Sequence, residues 1–163
     1  MPTHRFTPNH YHTTIGSHDP VLHLAPGDTV LTTTVDAMGQ DQQHVKITSG
    51  PNPQTGPFFI DGAEPGDTLV VHLDRLTPNR EIGEAGVMLT PGVVDPSYVP
   101  QLAWDARAED VRWRVDRSRE TVSLEQPEGR LGHLPLPLEP MLGCFGVAPV
   151  GGQAISTMTS GPY

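Results

Sequence analysis

The stretch Phe58-Phe59-Ile60-Asp61-Gly62-Ala63-Glu64-Pro65-Gly66-Asp67-Thr68-Leu69-Val70-Val71-His72-Leu73 decides the fold class. Its order is apolar run, glycine turn, Pro-Gly-Asp, apolar run, which reads as strand, tight turn, strand. Pro at the second turn position presets φ and Gly at the third accepts positive φ, so Glu64 to Asp67 predicts a type II turn. The same order occurs earlier, where Val21-Leu22-His23-Leu24 leads into Pro26-Gly27-Asp28 and Thr29 to Val35 reads as a strand. The two Pro-Gly-Asp-Thr units begin at 26 and 65, a separation of 39. They read equally as two independent tight turns or as a duplicated unit. In either case Asp28 and Asp67 are expected to cap their own turns by accepting backbone N–H groups.

Working outward, Ser49-Gly50-Pro51-Asn52-Pro53-Gln54-Thr55-Gly56-Pro57 holds three Pro and two Gly in nine residues, so it is neither helix nor central strand. It is a plain connector or a rigid loop presented by the sheet, and functional groups concentrate on loops of the second kind. Arg80 to Gln101 reads as a Gly/Pro-punctuated loop, and Asp105 to Asp110 as one or two helical turns. Arg112-Trp113-Arg114-Val115 has strand period, and Thr121 to Leu124 is a further strand candidate. Leu134 to Leu138 alternates Leu and Pro and must be extended. Met141 to Pro149 is apolar and glycine-rich, which predicts either a buried strand in close backbone approach or a pocket floor. Ala154 to Met158 is strand-like. The sum is a mainly β fold, with mixed sandwich or barrel-like sheets and few short helices, in a single domain over 1–163.

Composition narrows the function classes. Gly 17 and Pro 18 punctuate the 163 residues too often for a helix bundle. A charge of -9, with 10 Lys+Arg and no basic cluster, supplies no footprint for nucleic acid or an anionic membrane. No apolar run approaches the roughly 20 residues of a membrane span, and Met1 to His10 lacks the order of a secretory signal. Cys144 is the only cysteine, so neither an intrachain disulfide nor a cysteine-based zinc site is available. A soluble, cytoplasmic protein is expected.

Five of the eight histidines lie in the first 23 residues: His4, His10, His12, His18 and His23. His10 and His12 share a face on a strand, which is compatible with joint metal ligation, although no His-x-x-x-His spacing accompanies them. The competing reading is a polar arm of solvated imidazoles. Asp36 closes the first strand region beside Ala37-Met38-Gly39, while Asp61 and Glu64 flank Gly62-Ala63, where two acids have room to converge. Paired acids bind a hard cation or divide acid and base roles. Cys144 has no neighbouring base, and neither a Gly-x-Ser-x-Gly elbow nor a phosphate loop occurs.

The block from Gly50-Pro51-Asn52-Pro53-Gln54-Thr55-Gly56-Pro57 through Pro65-Gly66-Asp67-Thr68-Leu69 closely resembles the signature of the acetamidase/formamidase family. Gly143 to Pro149 and Thr159-Ser160-Gly161-Pro162-Tyr163 resemble the next two blocks of that family in the same order. Pro20 to Val30 and Val35-Asp36-Ala37 are similar to its opening. The resemblance implies a mainly β hydrolase that cleaves the C–N bond of small linear amides to ammonia and a carboxylate, assisted by a divalent metal, zinc first. It implies Asp36 and Glu64 as catalytic acids, His12 and Asp36 as metal ligands, and Asn52, Gln54 and Thr55 as the substrate-lining residues. The family pattern continues beyond Gly161-Pro162-Tyr163 into Gly-Gly-Asn-Met-Asp and a further half with a Gly-Asp-x-His motif. The chain is therefore expected to need a C-terminal half or a second polypeptide, and to associate as a homo-oligomer. The alternative is a non-catalytic β-rich binding or assembly module, or an inactive truncated relative.

Overall fold

A computed structural model describes residues 1–85, 95–101, 111–126 and 134–158. The chain divides into two compact units, Met1–Leu76 with Met141–Tyr163, and Thr77–Pro140. The second unit is thus inserted in the sequence of the first. Among the described residues the regular structure is ten short strands: β1 (Thr3–Arg5), β2 (Thr14–Gly16), β3 (Leu22–Leu24), β4 (Thr29–Leu31), β5 (Phe58–Ile60), β6 (Ile82–Ala85), β7 (Val111–Asp116), β8 (Thr121–Leu124), β9 (Leu136–Pro137) and β10 (Ala154–Ser156). Among the described residues there is no α-helix, only 3-10 turns at Val99–Gln101 and Val150–Gly152. The fold is mainly β, as the turn chemistry predicts, but among the described residues the sheets are small and open, and none closes into a barrel.

In the first unit β1 pairs with β4 in parallel, β3 with β5 in parallel, and β2 with β10 antiparallel. Both Pro-Gly-Asp turns form and are built alike. Asp28 N donates to Ala25 O at 3.0 Å while Asp28 Oδ2 accepts from Ala25 N at 3.1 Å. Asp67 N donates to Glu64 O at 3.0 Å while Asp67 Oδ2 accepts from Glu64 N at 2.9 Å. Gly27 at φ 91 and Gly66 at φ 103 take the left-handed position that a type II turn requires. Because β3 and β5 lie side by side, the two turns leave the same two-stranded sheet from neighbouring strands.

The second unit is an antiparallel meander in the order β6-β7-β8-β9. Trp113 on β7 opposes Gly83 on one side and Leu124 on the other. Arg112 Nη1 lies 3.0 Å from Glu125 Oε2, and Arg112 Nε lies 3.9 Å from Glu84 Oε1, so one cation serves both neighbours. Leu134 to Leu138 is extended as predicted, with Leu138 N donating to Glu120 O at 2.8 Å.

Four expectations change. The strand read over Thr29 to Val35 is confined to Thr29–Leu31, where β1 offers a partner. Arg80 to Gln101 is not loop throughout, because Ile82–Ala85 pairs with β7 through Gly83. Leu69 to Leu73 is not a strand, since none of the described strands pairs with it and an extended segment without a ladder gains no hydrogen bonds. Met141 to Pro149 is irregular and largely exposed, and a Cβ at Gly143 would meet nothing within 4 Å, so no close backbone approach requires that glycine. Asp105 to Asp110 and Ser160 to Tyr163 lie outside the described residues. Apart from Pro53, the only buried apolar side chains among the described residues are Ile15 and Leu24, at 8% and 7% exposure.

Candidate functional site

The candidate site forms where the proline-rich loop meets the histidines of the N-terminal arm. His12 N donates to Gln54 O at 3.3 Å and Gln54 N donates to His12 O at 2.7 Å, an isolated antiparallel bridge. The loop is held from three directions. Asn52 N donates to Ala37 O at 2.7 Å, and Asn52 Nδ2 donates to Thr157 O at 3.0 Å. Thr157 Oγ1, on a residue only 2% exposed, lies 2.9 Å from Thr13 O and 3.1 Å from Pro51 O. The peptide bonds Gly50-Pro51 and Gly56-Pro57 are cis. Asn52 sits at φ 48, a left-handed position that asparagine tolerates better than most residues.

Asp36 is brought to this loop by its own turn. Asp36 Oδ1 accepts from Met38 N at 2.9 Å and from Gln40 N at 2.8 Å, and Gly39 N donates to Asp36 O at 3.0 Å. The carboxylate thus shapes the turn whose Ala37 carbonyl receives Asn52. Glu64 is placed elsewhere, exposed in the Glu64–Asp67 turn beyond β5. Asp61, the acid expected to converge with it, accepts instead from His23 Nδ1 at 3.1 Å, and His23 packs on Phe59 with ring centroids 4.8 Å apart. Thr55 Oγ1 donates to Thr33 O at 3.4 Å.

Three imidazoles gather beside the loop. The rings of His12 and His18 stack at 3.7 Å and 9°, and His10 meets His12 edge-on at 4.6 Å. His18 Nε2 lies 2.8 Å from Thr14 Oγ1 and 3.2 Å from Thr14 O. Partial burial holds the His12 pKa below the ordinary imidazole value, and the neighbouring His18 and His10 charges push it the same way. Both effects favour the neutral imidazole over the cation.

Stacked rings 3.7 Å apart present their in-plane nitrogens in parallel planes, so His12 and His18 do not converge on one ion. Among the described residues no three His, Cys, Asp or Glu side chains surround a common point. His12 and Asp36 alone would supply two of the three or four protein ligands that zinc takes, so the described residues do not fit a complete metal site. The side-chain amides of Asn52 and Gln54 each donate one N–H to backbone, the latter to Asn52 O at 2.8 Å, and each also carries an oxygen that can accept.

Thr157 is the member of this cluster that sequence reasoning missed. The only signal was its place at the end of a strand-like run, which does not distinguish a buried hydroxyl clamp from an ordinary strand threonine. No protein-family model, curated protein or solved structure matches this chain.

Proposed function

We propose that this chain is part of a hydrolase of small linear amides that releases ammonia and a carboxylate. The observation that carries the reading is the loop Gly50 to Pro57. It bears the sequence that resembles the acetamidase/formamidase signature, and it sets Asn52 and Gln54 against His12, whose neutral form is favoured. A primary amide offers two N–H donors and one carbonyl acceptor. The Asn52 Oδ1 and Gln54 Oε1 acceptors suit the NH2 group. A neutral imidazole at His12 takes a proton from attacking water and returns it to the departing nitrogen, which leaves as ammonia while the water oxygen becomes part of the carboxylate.

Asp36 positions the loop through its turn, and Glu64 joins as the second acid only if a further polypeptide closes the region around it. A divalent metal, zinc by the resemblance, is the alternative to that role of His12: it would take His12 and Asp36 as ligands with others from the second polypeptide, and a carboxylate would then handle the protons. A cytoplasmic setting agrees with the single cysteine. The second reading, a non-catalytic binding or assembly module, is favoured by the placement of Glu64 in a turn of its own.

Ammonia release from formamide and acetamide separates the two. The chain is assayed alone, with zinc, and with any polypeptide that co-purifies. Release that is lost in His12→Asn and in Gln54→Ala supports the hydrolase. Saturable acetamide binding without release under every condition supports the module, and full activity in both variants would remove the site assignment.

A further inference from the structure

The second Pro-Gly-Asp unit is an unfinished copy of the first. In the first, β3 enters the turn Ala25 to Asp28 and β4 leaves it, and β4 is completed by β1 in parallel. In the second, β5 enters the equivalent turn Glu64 to Asp67, and Thr68 to Leu73 leaves it without a strand partner among the described residues. Every residue of that segment is exposed, with Leu69 at 48%, Val70 at 69%, Val71 at 54% and Leu73 at 54%. A Leu/Val-rich run of this kind has the composition of a strand, and its unpaired backbone offers a template for another chain.

We propose that Thr68 to Asp74 is the edge on which a second copy of this chain pairs, antiparallel and two-fold symmetric about Val71. The inference rests on this edge and not on the amidase chemistry. In that register Val71 opposes Val71 of the other copy, Val70 opposes His72, and Leu69 opposes Leu73. Next Thr68 opposes Asp74, and two steps beyond the leucine pair Asp67 opposes Arg75, twice, once at each end. A segment whose ends carry opposite charge at equal distance from its centre is self-complementary in the antiparallel sense, whereas parallel pairing would set Asp67 on Asp67 and Arg75 on Arg75. The pairing is two-fold symmetric, each copy using the same edge of the segment. The short edge makes a weak dimer, well below the ~1,600 Å² of a standard interface unless other surfaces join it.

The register is tested by cysteine scanning in a Cys144→Ser background under mild oxidation, read on non-reducing gels. Directly opposed strand residues have Cα atoms about 4.5–5.5 Å apart, within disulfide reach. Val71→Cys is expected to cross-link to itself. Leu69→Cys alone is not, because its two copies are offset by four residues, about 13 Å, but an equal mixture of Leu69→Cys and Leu73→Cys is. Light scattering of the unmodified chain is expected to show a concentration-dependent dimer, whose dissociation constant Arg75→Glu raises about tenfold and Val71→Lys raises further. A monomer at all concentrations would overturn the proposal. So would self-cross-linking of Leu69→Cys as efficient as that of Val71→Cys, a dimer indifferent to both Arg75→Glu and Val71→Lys, or a different polypeptide found on this edge.

Discussion

His12 illustrates how a single side chain acquires its properties from what is stacked on it. A solvated imidazole titrates near 6.5, but partial burial disfavours the cation, and His18 face-on and His10 edge-on add like charge when they protonate. The folded pKa is depressed, so this contribution to stability is present above the unfolded value and is lost as pH falls through the folded one. In a titration followed by NMR, the His12 midpoint is expected below that of an unfolded peptide, and His18→Ala is expected to raise it. An unchanged midpoint in that variant would remove the stacking as a cause. Thr157 works by another means, its buried hydroxyl lying within donating reach of two half-buried carbonyls. Thr157→Val keeps the shape and deletes the hydroxyl beside Thr13 O and Pro51 O. Thr13 O keeps the Thr157 N donor at 3.2 Å, so a loss of about 0.5–1.5 kcal/mol is expected in denaturant unfolding, the net worth of one hydrogen bond. A loss below that range would mean that water serves those carbonyls instead.

At the scale of elements, the turns were the most legible part of the sequence, because their causes are local. Pro and Gly fix φ within one or two residues, and an aspartate reaches N–H groups two to four residues away, so the Asp28 and Asp67 turns could be read without knowing what packs on them. The same local pattern governs Asp36, which accepts from Met38 N and Gln40 N, and Asp41, which accepts from Gln43 N and Val45 N at 2.9 and 3.0 Å. Strands were less legible, because a strand exists only when a second one supplies the ladder. Thr29–Leu31 stops where β1 stops, and Ile82–Ala85 forms despite Gly83 because β7 lies beside it. The Asp36 turn provides a direct test of which forces hold the site loop. Gly39 has φ 82, and a Cβ there would collide with the Thr48 carbonyl, whereas Gly62 has φ 81 with nothing within 4 Å. Ala at either position meets the same left-handed penalty, of order 1–2 kcal/mol. Gly39→Ala is therefore expected to cost about 1–3 kcal/mol more than Gly62→Ala, the excess being the collision. Equal losses in thermal unfolding would show that the backbone near Thr48 gives way freely.

The whole molecule explains why part of the site could not be read from the residues that form it. His12, Gln54 and Asn52 meet through backbone bridges across some forty residues of sequence, and Thr157 closes on them from more than a hundred residues away. Loop composition flagged Asn52 and Gln54, but nothing local signals which distant strand end will hold the loop. The same distance argument applies to stability. With Pro53, Ile15 and Leu24 the only buried apolar side chains among those described, and Val70, Met141, Val147 and Val150 at 64–78% exposure, little of the apolar surface is withdrawn from water within the chain. The pairing proposed on the Thr68 to Asp74 edge would add to the folding free energy by mass action, and a protein stabilised this way has a melting temperature that depends on its own concentration. For a dimer, each tenfold rise in concentration adds about 1.4 kcal/mol, worth a few degrees for chains of this size. Calorimetry across a hundredfold concentration range is expected to show that rise in the unmodified chain and a flat response in Val71→Lys, whose two like charges would face each other at the dimer axis. No helix among the described residues is long and apolar enough to cross a membrane, so a bilayer-spanning helix there does not take up the exposed surface. A melting temperature independent of concentration in the unmodified chain would mean that the two units reach their stability unaided, and that the open edge after Asp67 is tolerated, not used.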